Sequence, residues 1–172
     1  VQGHRQRPGV PGISYEVDGL YAAVAKATTL RMVLALAASN KWKMYQLDIC
    51  SAYLHGELNE EIYVQPPPGR HNDSSKCLRL FRSLYGLRQA AAQWQSTYVN
   101  VMRQENWVQS QADPCLFTRF DGDKVAFQVL YVDDITLTGN YASYLTALKG
   151  KLKTSFNTKD LGKLSHFVGM SV

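Results

Sequence analysis

The sequence predicts an α+β fold in which helices pack on one face of a β-sheet. Apolar and polar residues alternate in 43–49, and β-branched and other apolar residues crowd 125–132 and 135–137, as is typical of strands. Two other segments repeat apolar residues every three or four positions, as amphipathic helices do. The resulting order is strand, long helix, strands, helix, strand, which matches a split βαβ, ferredoxin-like sheet.

The first helix is predicted at Thr28–Ala38, with one of the two threonines at its start as N-cap. Arg31 points away from the apolar stripe of this helix, so its side chain either contacts phosphate or is solvated. The basic segment His4–Arg7 is equally open between a phosphate contact and a frayed terminus.

Beyond the strand at 43–49, short strands are predicted at 60–64 and 77–81, with the stiff segment Pro66–Gly69 between them. The longest helix is predicted to begin at Leu84. Its entrance, with free N–H groups and the positive end of the helix dipole, favours phosphate. Its apolar stripe, which predicts core packing, consists of Leu87, Ala91, Trp94, Tyr98 and Val101.

In the last third of the chain, a strand at 113–119 and a hairpin turn at Asp121-Gly122 are predicted before the strand at 125–132. A second amphipathic helix runs from Tyr144 to Phe156, and a last strand is expected at 164–172. Three lysines lie around the other side of that helix, where they are either solvated or, for one of them, in contact with phosphate: Lys149, Lys151 and Lys153.

Composition indicates one globular domain with an intracellular location. The 172 residues are 45% hydrophobic and 19% charged, and no apolar run reaches the roughly 18 residues of a membrane span. The three cysteines, Cys50, Cys77 and Cys115, lack metal-site spacing and suit reduced thiols. The net charge of +5 modestly favours a polyanionic partner, although mild basicity without a partner stays open. The first residue, Val1, suggests a piece of a longer protein.

Three aspartates occupy positions where strands end. Asp133 and Asp134 join two apolar strands, and their mutual repulsion costs stability unless a cation lies between them; the alternative is a solvated turn. Asp48 falls near the end of an earlier strand, where its carboxylate can leave the core. Carboxylates on separate strands suit Mg²⁺, and two such ions can activate a 3′-hydroxyl and stabilise a leaving pyrophosphate. We therefore expect the three acids to meet in one site.

The segment Tyr131-Val-Asp-Asp134 resembles the signature of reverse transcriptases, and its context is similar to the copia-type branch of LTR retrotransposons. Six blocks occur in the order of that family and cover nearly the whole chain: 46–58, 61–69, 83–90, 112–117, 131–134 and 159–169. One departure is Ala91, where many relatives have Pro. The resemblance implies an RNA-directed DNA polymerase segment of a Pol polyprotein.

This resemblance assigns parts of the chain to subdomains and partners. Residues 41–172 would form the palm and 1–40 a partial fingers extension, with thumb, ribonuclease H and integrase lying outside this segment. Implied partners are an RNA or DNA template with its primer, deoxynucleoside triphosphates and the remaining Pol domains, with no membrane. The implied location is the cytoplasm, within virus-like particles, or the nucleus.

The resemblance also assigns residue roles. Catalysis and the binding of two Mg²⁺ ions, or Mn²⁺, would fall to Asp48, Asp133 and Asp134. Substrate binding would fall to Tyr53, which forms a floor under the incoming sugar, and to Gly86, Gln89 and Arg31. The primer end would lie against Phe167, Val168 and Gly169.

Two other interpretations stay open. A transposon-derived remnant would keep the fold and bind nucleic acid, or merely be stable, without catalysis. An unrelated RNA-binding module would show stacking aromatic residues on the sheet face and no carboxylate cluster.

Overall fold

The computed structural model describes residues 20–67, 69, 77–167 and, for the backbone, 170–171. The predictions for His4–Arg7, Val168 and Gly169 lie outside these residues. The chain divides into two compact units, a smaller one within 1–21 and 53–97 and a larger one within 22–52 and 98–172.

Three α-helices and ten strands occur in this described part of the chain. In chain order they are α1 (Ala27–Ser39), β1 (Met44–Ile49), β2 (Glu57–Val64), β3 (Leu78–Arg82), α2 (Ala90–Gln104), β4 (Val108–Gln109), β5 (Leu116–Asp121), β6 (Lys124–Tyr131), β7 (Asp134–Gly139), α3 (Ala142–Ser155), β8 (Thr158–Lys163), β9 (His166–Phe167) and β10 (Met170–Ser171). A 3-10 turn at Ala52–His55 follows β1. The prediction of a mixed helix-and-sheet class is confirmed.

A six-stranded sheet in the order β4-β5-β6-β7-β1-β8 forms the larger unit. Each neighbouring pair is antiparallel. In the smaller unit, β2 pairs with β3. The strands β9 and β10, which lie in the larger unit, form a separate short pair. The helix α2 begins in the smaller unit and ends in the larger one. In the described part of the chain, no helix is long and apolar enough to span a membrane.

The helix α1, which lies in the segment assigned to the fingers extension, packs on the opposite face of the six-stranded sheet from α2. On one face, Leu116 and Val129 pack against Val33 of α1. The neighbouring residue of β6, Gln128, points to the opposite face, where its Nε2 donates a hydrogen bond to Tyr98 Oη of α2 at 2.5 Å. The apolar stripe of α1 is therefore buried against its own face of the sheet.

The central strands β1 and β7 divide their residues between these two faces. Leu47 and Ile135, which pair directly, are fully buried on the α2 side. Their neighbours on the α1 side include polar residues, which pair across the two strands as Gln46 with Thr136 and Asp48 with Asp134. The face that packs α1 thus also carries the acids at one end.

The helix α1 begins at Ala27, one residue before the predicted start, and its N-cap is not a threonine. Lys26 is the N-cap, and its backbone N–H donates to Asp113 Oδ2 at 2.9 Å. The side chain of Thr29 also hydrogen-bonds to Asp113, as does the backbone N–H of Cys115, at 2.9 Å to Oδ1. The prediction of a threonine N-cap was wrong because the helix begins before both threonines, and the Thr29 side chain bonds instead to a residue far along the chain.

Two predicted boundaries shift. The helix α2 begins at Ala90 and not Leu84, because Gly86 has a φ of +101°, which a right-handed helix does not accommodate. Within the predicted last strand at 164–172, the described residues form the two short strands β9 and β10, and the edge of the six-stranded sheet is β8, which was not predicted. Its sequence, Thr158–Lys163, is mostly exposed and lacks the alternation that reveals a half-buried strand.

Candidate active site

Sheet register brings Asp48 and Asp134 directly opposite one another on β1 and β7. The backbone N–H of Ile49 donates to the carbonyl of Asp133 at 2.9 Å, so the next pair along the ladder is of the non-hydrogen-bonded kind. In such pairs the Cα atoms lie about 4.5 Å apart and the side chains approach closely. The two carboxylates therefore face each other on one side of the sheet, although like charges in this position destabilise a sheet.

A strained turn presents the third acid. Tyr131 pairs with Asp134, so the two-residue connection between β6 and β7 is Val132-Asp133, one residue earlier than predicted. Val132 has a φ of +59°. This conformation is a genuine outlier for a β-branched residue and costs on the order of 1–3 kcal/mol. The fold holds Asp133 beside the other acids at that cost.

Burial and charge both act on Asp134. Burial raises the pKa of its half-buried carboxyl, a hydrogen bond from Gln46 lowers it, and the negative charges of Asp133 and Asp48 raise it further, for a net upward shift. The donor is Gln46 Nε2, at 3.2 Å from Asp134 Oδ1. On the other acid, the Cys50 thiol lies at 3.8 Å from Asp48 Oδ2. The site therefore concentrates negative charge and provides one amide and one thiol as local donors.

The donor chemistry of these acids suits a hard divalent cation. Within residues 20–67, 69 and 77–167, no three His, Cys, Asp or Glu side chains already surround one position as metal ligands. Mg²⁺, however, commonly takes one or two protein carboxylates and completes its shell with water and substrate phosphates. Asp48 and Asp134 fit that mode of binding, in which the substrate supplies the remaining oxygens.

A lysine from β8 lies on the other side of Asp48. Lys159 pairs with Asp48 in the β1–β8 ladder, so the three neighbouring strands present an acid, an acid and a base in one row. Lys159 is exposed. This neighbour was not predicted from the sequence, because the strand β8 has no hydrophobic pattern.

The α3 lysines that were considered for phosphate contact are engaged elsewhere. Lys149 and Lys153 form ion pairs with Asp160 at 3.2 and 3.8 Å, and Lys149 also lies 3.9 Å from the ring centre of Tyr45, which points away from the acid face. Lys151 pairs with Glu105 at 3.3 Å. These ion pairs attach α3 to its neighbours, which is a structural role.

Other predicted substrate residues lie in the smaller unit. Tyr53 packs against Tyr85, with ring centres 4.5 Å apart. Gln89 is 2% exposed, and its Nε2 donates to Glu60 Oε1 at 3.1 Å, so its side chain is directed inward. Gly86 occupies a turn with positive φ.

The remaining predicted contacts lie in the larger unit. Arg31 is exposed on α1. The ring of Phe167 is 1% exposed and packs with Leu30 and Leu164, so a primer contact at this position would fall to the backbone.

Comparison with known proteins identifies the family. The family model described as reverse transcriptase (RNA-dependent DNA polymerase) matches residues 1–172. The chain belongs to the reverse transcriptase family. It is 37% identical over its full length to the retrovirus-related Pol polyprotein from transposon TNT 1-94 of Nicotiana tabacum. It is 33% identical over 99% of its length to the Pol polyprotein from transposon RE1 of Arabidopsis thaliana.

More distant relatives include the transposon Ty1-MR1 Gag-Pol polyprotein of Saccharomyces cerevisiae, 32% identical over 83% of this chain. These matches confirm the copia-type retrotransposon assignment. The reverse transcriptase chain spans only 13%, 11% and 8% of the tobacco, Arabidopsis and yeast polyproteins, respectively.

Proposed function

We propose that this chain forms the catalytic palm of an RNA-directed DNA polymerase, which transfers a nucleotidyl group from a deoxynucleoside triphosphate to a primer 3′-hydroxyl. Membership of the reverse transcriptase family supports the reaction class. The single observation that carries the proposal for this chain is the direct pairing of Asp48 with Asp134, next to the turn that holds Asp133. Asp48 thus meets two adjacent acids from a distant part of the chain, where mutual repulsion is costly unless a cation is bound.

The palm assignment has support from strand order. The four strands β6-β7-β1-β8 are adjacent and antiparallel, α2 connects β1 to the β5–β6 hairpin, and α3 connects β7 to β8. A split βαβ, ferredoxin-like sheet has the same connectivity, which supports the palm assignment. We propose that 41–172 is the palm and that 1–40 belongs to the fingers.

In this mechanism, Asp48, Asp133 and Asp134 would hold the divalent cations. When bound, two Mg²⁺ ions, or Mn²⁺ in their place, would activate the primer hydroxyl and stabilise the charge on the leaving pyrophosphate. The residues of this chain supply the geometry: the ladder fixes Asp48 against Asp134, and the β6–β7 turn fixes Asp133. The template selects the nucleotide by base pairing, so the residues around the acids need to bind phosphate and sugar but not a particular base.

Substrate contacts are proposed for the residues that match family blocks. Tyr53 would form the floor under the incoming sugar, Gly86 and Gln89 would lie near the nucleotide or template, and Arg31 would contact phosphate. The backbone around Phe167 would support the primer end. RNA or DNA template with primer, deoxynucleoside triphosphates and the other Pol domains are the proposed partners.

Sugar selection by Tyr53 can be tested directly. Because a ring at this position would leave no room for a 2′-hydroxyl, we expect Tyr53→Ala to increase incorporation of ribonucleotides relative to deoxynucleotides. Tyr53→Phe, which keeps the ring, serves as the control. Equal discrimination by Tyr53→Ala and the unchanged protein, in an active preparation, would count against this role.

Primer extension on an RNA template with Mg²⁺ tests the reaction itself. The experiment compares the 172-residue chain and a longer Pol polypeptide that contains it, each with and without Asp133→Asn. We expect the substitution to lower extension by more than about a hundredfold, the upper end of losses seen when only a supporting residue of a metal ligand is removed. The matched control is Asp123→Asn, an exposed acid at the same position of the β5–β6 turn.

The outcomes separate the two main interpretations. Extension by the longer polypeptide that falls with Asp133→Asn and persists with Asp123→Asn supports the proposal. Extension that Asp133→Asn leaves unchanged removes the metal assignment. Silence of every form, on both RNA and DNA templates, favours the inactive remnant.

A further inference from the structure

Gln46 lies next to the acids but is not one of the proposed metal ligands or substrate contacts. Gln46 precedes Asp48 by two residues on β1, so both side chains point to the same face of the sheet. Its side chain is half-buried and donates from Nε2 to Asp134 Oδ1 at 3.2 Å. The strand that supplies the first acid thus also supplies a donor to the acid on the neighbouring strand.

The choice of acceptor is informative. Directly opposite Gln46 in the ladder lies Thr136, which is 1% exposed and whose Oγ1 has no hydrogen-bond partner in the described part of the chain. The amide of Gln46 nevertheless donates to the carboxylate of Asp134, which lies diagonally across the two strands. A hydrogen bond to an ionised acceptor is roughly twice as strong as one between neutral groups. The Gln46 amide therefore donates to the charged group, and the hydroxyl of the residue directly opposite stays without a hydrogen bond in the described part of the chain.

We propose that Gln46 is a positioning residue of the metal site: its amide holds the Asp134 carboxylate in the orientation that binds a divalent cation. This inference rests on the proposed function, because it takes Asp134 as a metal ligand. A carboxylate surrounded by other acids would otherwise rotate away from them. The hydrogen bond from Gln46 opposes that rotation before any cation arrives.

The partner of Asp48 provides an internal comparison. The Cys50 thiol is a weak donor and lies at 3.8 Å from Asp48 Oδ2. Asp134 therefore has the stronger support of the two acids, and loss of its amide donor is expected to have the larger effect on cation affinity.

Direct binding of Mn²⁺ tests this inference without reference to activity. The 172-residue chain is titrated with Mn²⁺, and free ion is followed by electron paramagnetic resonance. Gln46→Met removes the donor at nearly constant side-chain volume. We expect its Kd for Mn²⁺ to rise by about tenfold or more, as for other residues that support metal ligands. The control is Gln104→Met, at an exposed position at the end of α2, with an unchanged Kd.

Primer extension by the longer Pol polypeptide provides the second measurement. Gln46→Met should raise the Mg²⁺ concentration for half-maximal rate by a similar factor and leave the rate at saturating Mg²⁺ within about twofold. A merely structural role would lower the rate at every Mg²⁺ concentration without moving the midpoint. If Gln46→Met does not fold, Gln46→Asn replaces it, since Asn keeps the amide but is one methylene too short to reach Asp134.

Asp134→Asn distinguishes failure of this inference from failure of the proposed function. If Asp134→Asn weakens Mn²⁺ binding and Gln46→Met does not, the positioning role is overturned and the metal site stands. If neither the unchanged chain nor any variant binds Mn²⁺, both are overturned. If both single substitutions weaken binding and the double substitution is no worse than Asp134→Asn, Gln46 acts through Asp134 as proposed.

Discussion

The chain builds two hairpin turns of the same design at opposite ends of β6. In each, a two-residue connection joins paired strands: Gly122-Asp123 between β5 and β6, and Val132-Asp133 between β6 and β7. The first residue of each connection has nearly the same positive φ, +57° for Gly122 and +59° for Val132. Glycine adopts this conformation at no steric cost, whereas a β-branched valine does not.

The charges around the two turns also differ: the acid beside the unstrained turn is neutralised, and the acid beside the strained turn is not. At the β5–β6 turn, Asp121 receives a hydrogen bond from Tyr144 Oη at 2.8 Å and lies 3.8 Å from Lys124 Nζ, in exposed surroundings. At the β6–β7 turn, Asp134 is half-buried and faces Asp48. One turn is thus unstrained and neutralised, and the other is strained and repulsive. Such local violations concentrate at functional sites, where the surrounding structure holds them in place.

Placing valine in the β5–β6 turn and glycine in the β6–β7 turn should remove the difference between them. The first of these changes is expected to alter the stability of the protein most. Apart from its two chain neighbours, nothing in the described part of the chain lies within 4 Å of a Cβ built at Gly122, so Gly122→Val introduces backbone strain without a clash. We expect it to lower the free energy of unfolding by about 1–3 kcal/mol. The matched control is Gly122→Asn, which tolerates positive φ and should cost less. Urea unfolding measures both, and equal losses would show that β-branching is not what strains this turn.

The reverse change, Val132→Gly, should stabilise the protein by less than the strain it relieves. Glycine loses about 0.5–1 kcal/mol more conformational freedom on folding, so a net gain of about 1 kcal/mol is expected. Primer extension should fall, because Asp133 is then held on a less restricted backbone. An active variant that is also more stable would show that the strain at Val132 contributes nothing to the site.

The same comparison shows what the sequence could predict. The apolar alternation of β1 and the β-branched runs of β6 and β7 are local patterns, and their strand ends place the acids together. The exposed strand β8 has no such pattern, so its lysine beside Asp48 was missed. The donor from Gln46 to Asp134 depends on register between strands nearly ninety residues apart, which no local pattern reveals.

The start of α2 and the cap of α1 were missed for related reasons. An apolar stripe locates a helix but not its first residue, which here depends on the positive φ of Gly86. The N-cap of α1 is Lys26, whose backbone N–H donates to Asp113, and this long-range contact overrides the local preference for threonine. Periodicity thus predicts which elements exist, and tertiary contacts decide where they end.

A charge change at the site should have a smaller effect on stability. In the absence of divalent cations, Asp134→Asn removes one of two like charges that face each other across β1 and β7. We expect the free energy of unfolding to rise by up to about 1 kcal/mol, after allowance for solvent screening. Asp123→Asn, at the exposed turn, should change it little. A loss of stability in Asp134→Asn would mean that its hydrogen bond with Gln46 outweighs the repulsion.

The pH dependence of the stability gained by Asp134→Asn is the smallest expected effect, and it tests whether the acids at the β6–β7 turn repel one another. Because burial, Asp133 and Asp48 raise the pKa of Asp134 above its ordinary value of 3.8, the folded state binds the proton more tightly than the unfolded state does. Stability therefore falls as pH rises from the ordinary value through the raised one, and the penalty is complete above it. Asparagine does not titrate, so the advantage of Asp134→Asn should be smallest below the ordinary pKa and reach its plateau at neutral pH. The lowered pKa values of Asp113 and Asp160 act in the opposite direction, but they occur in both proteins and cancel in the difference. Urea unfolding of both proteins across this range gives the result, and an advantage that grows as pH falls would contradict the repulsive site.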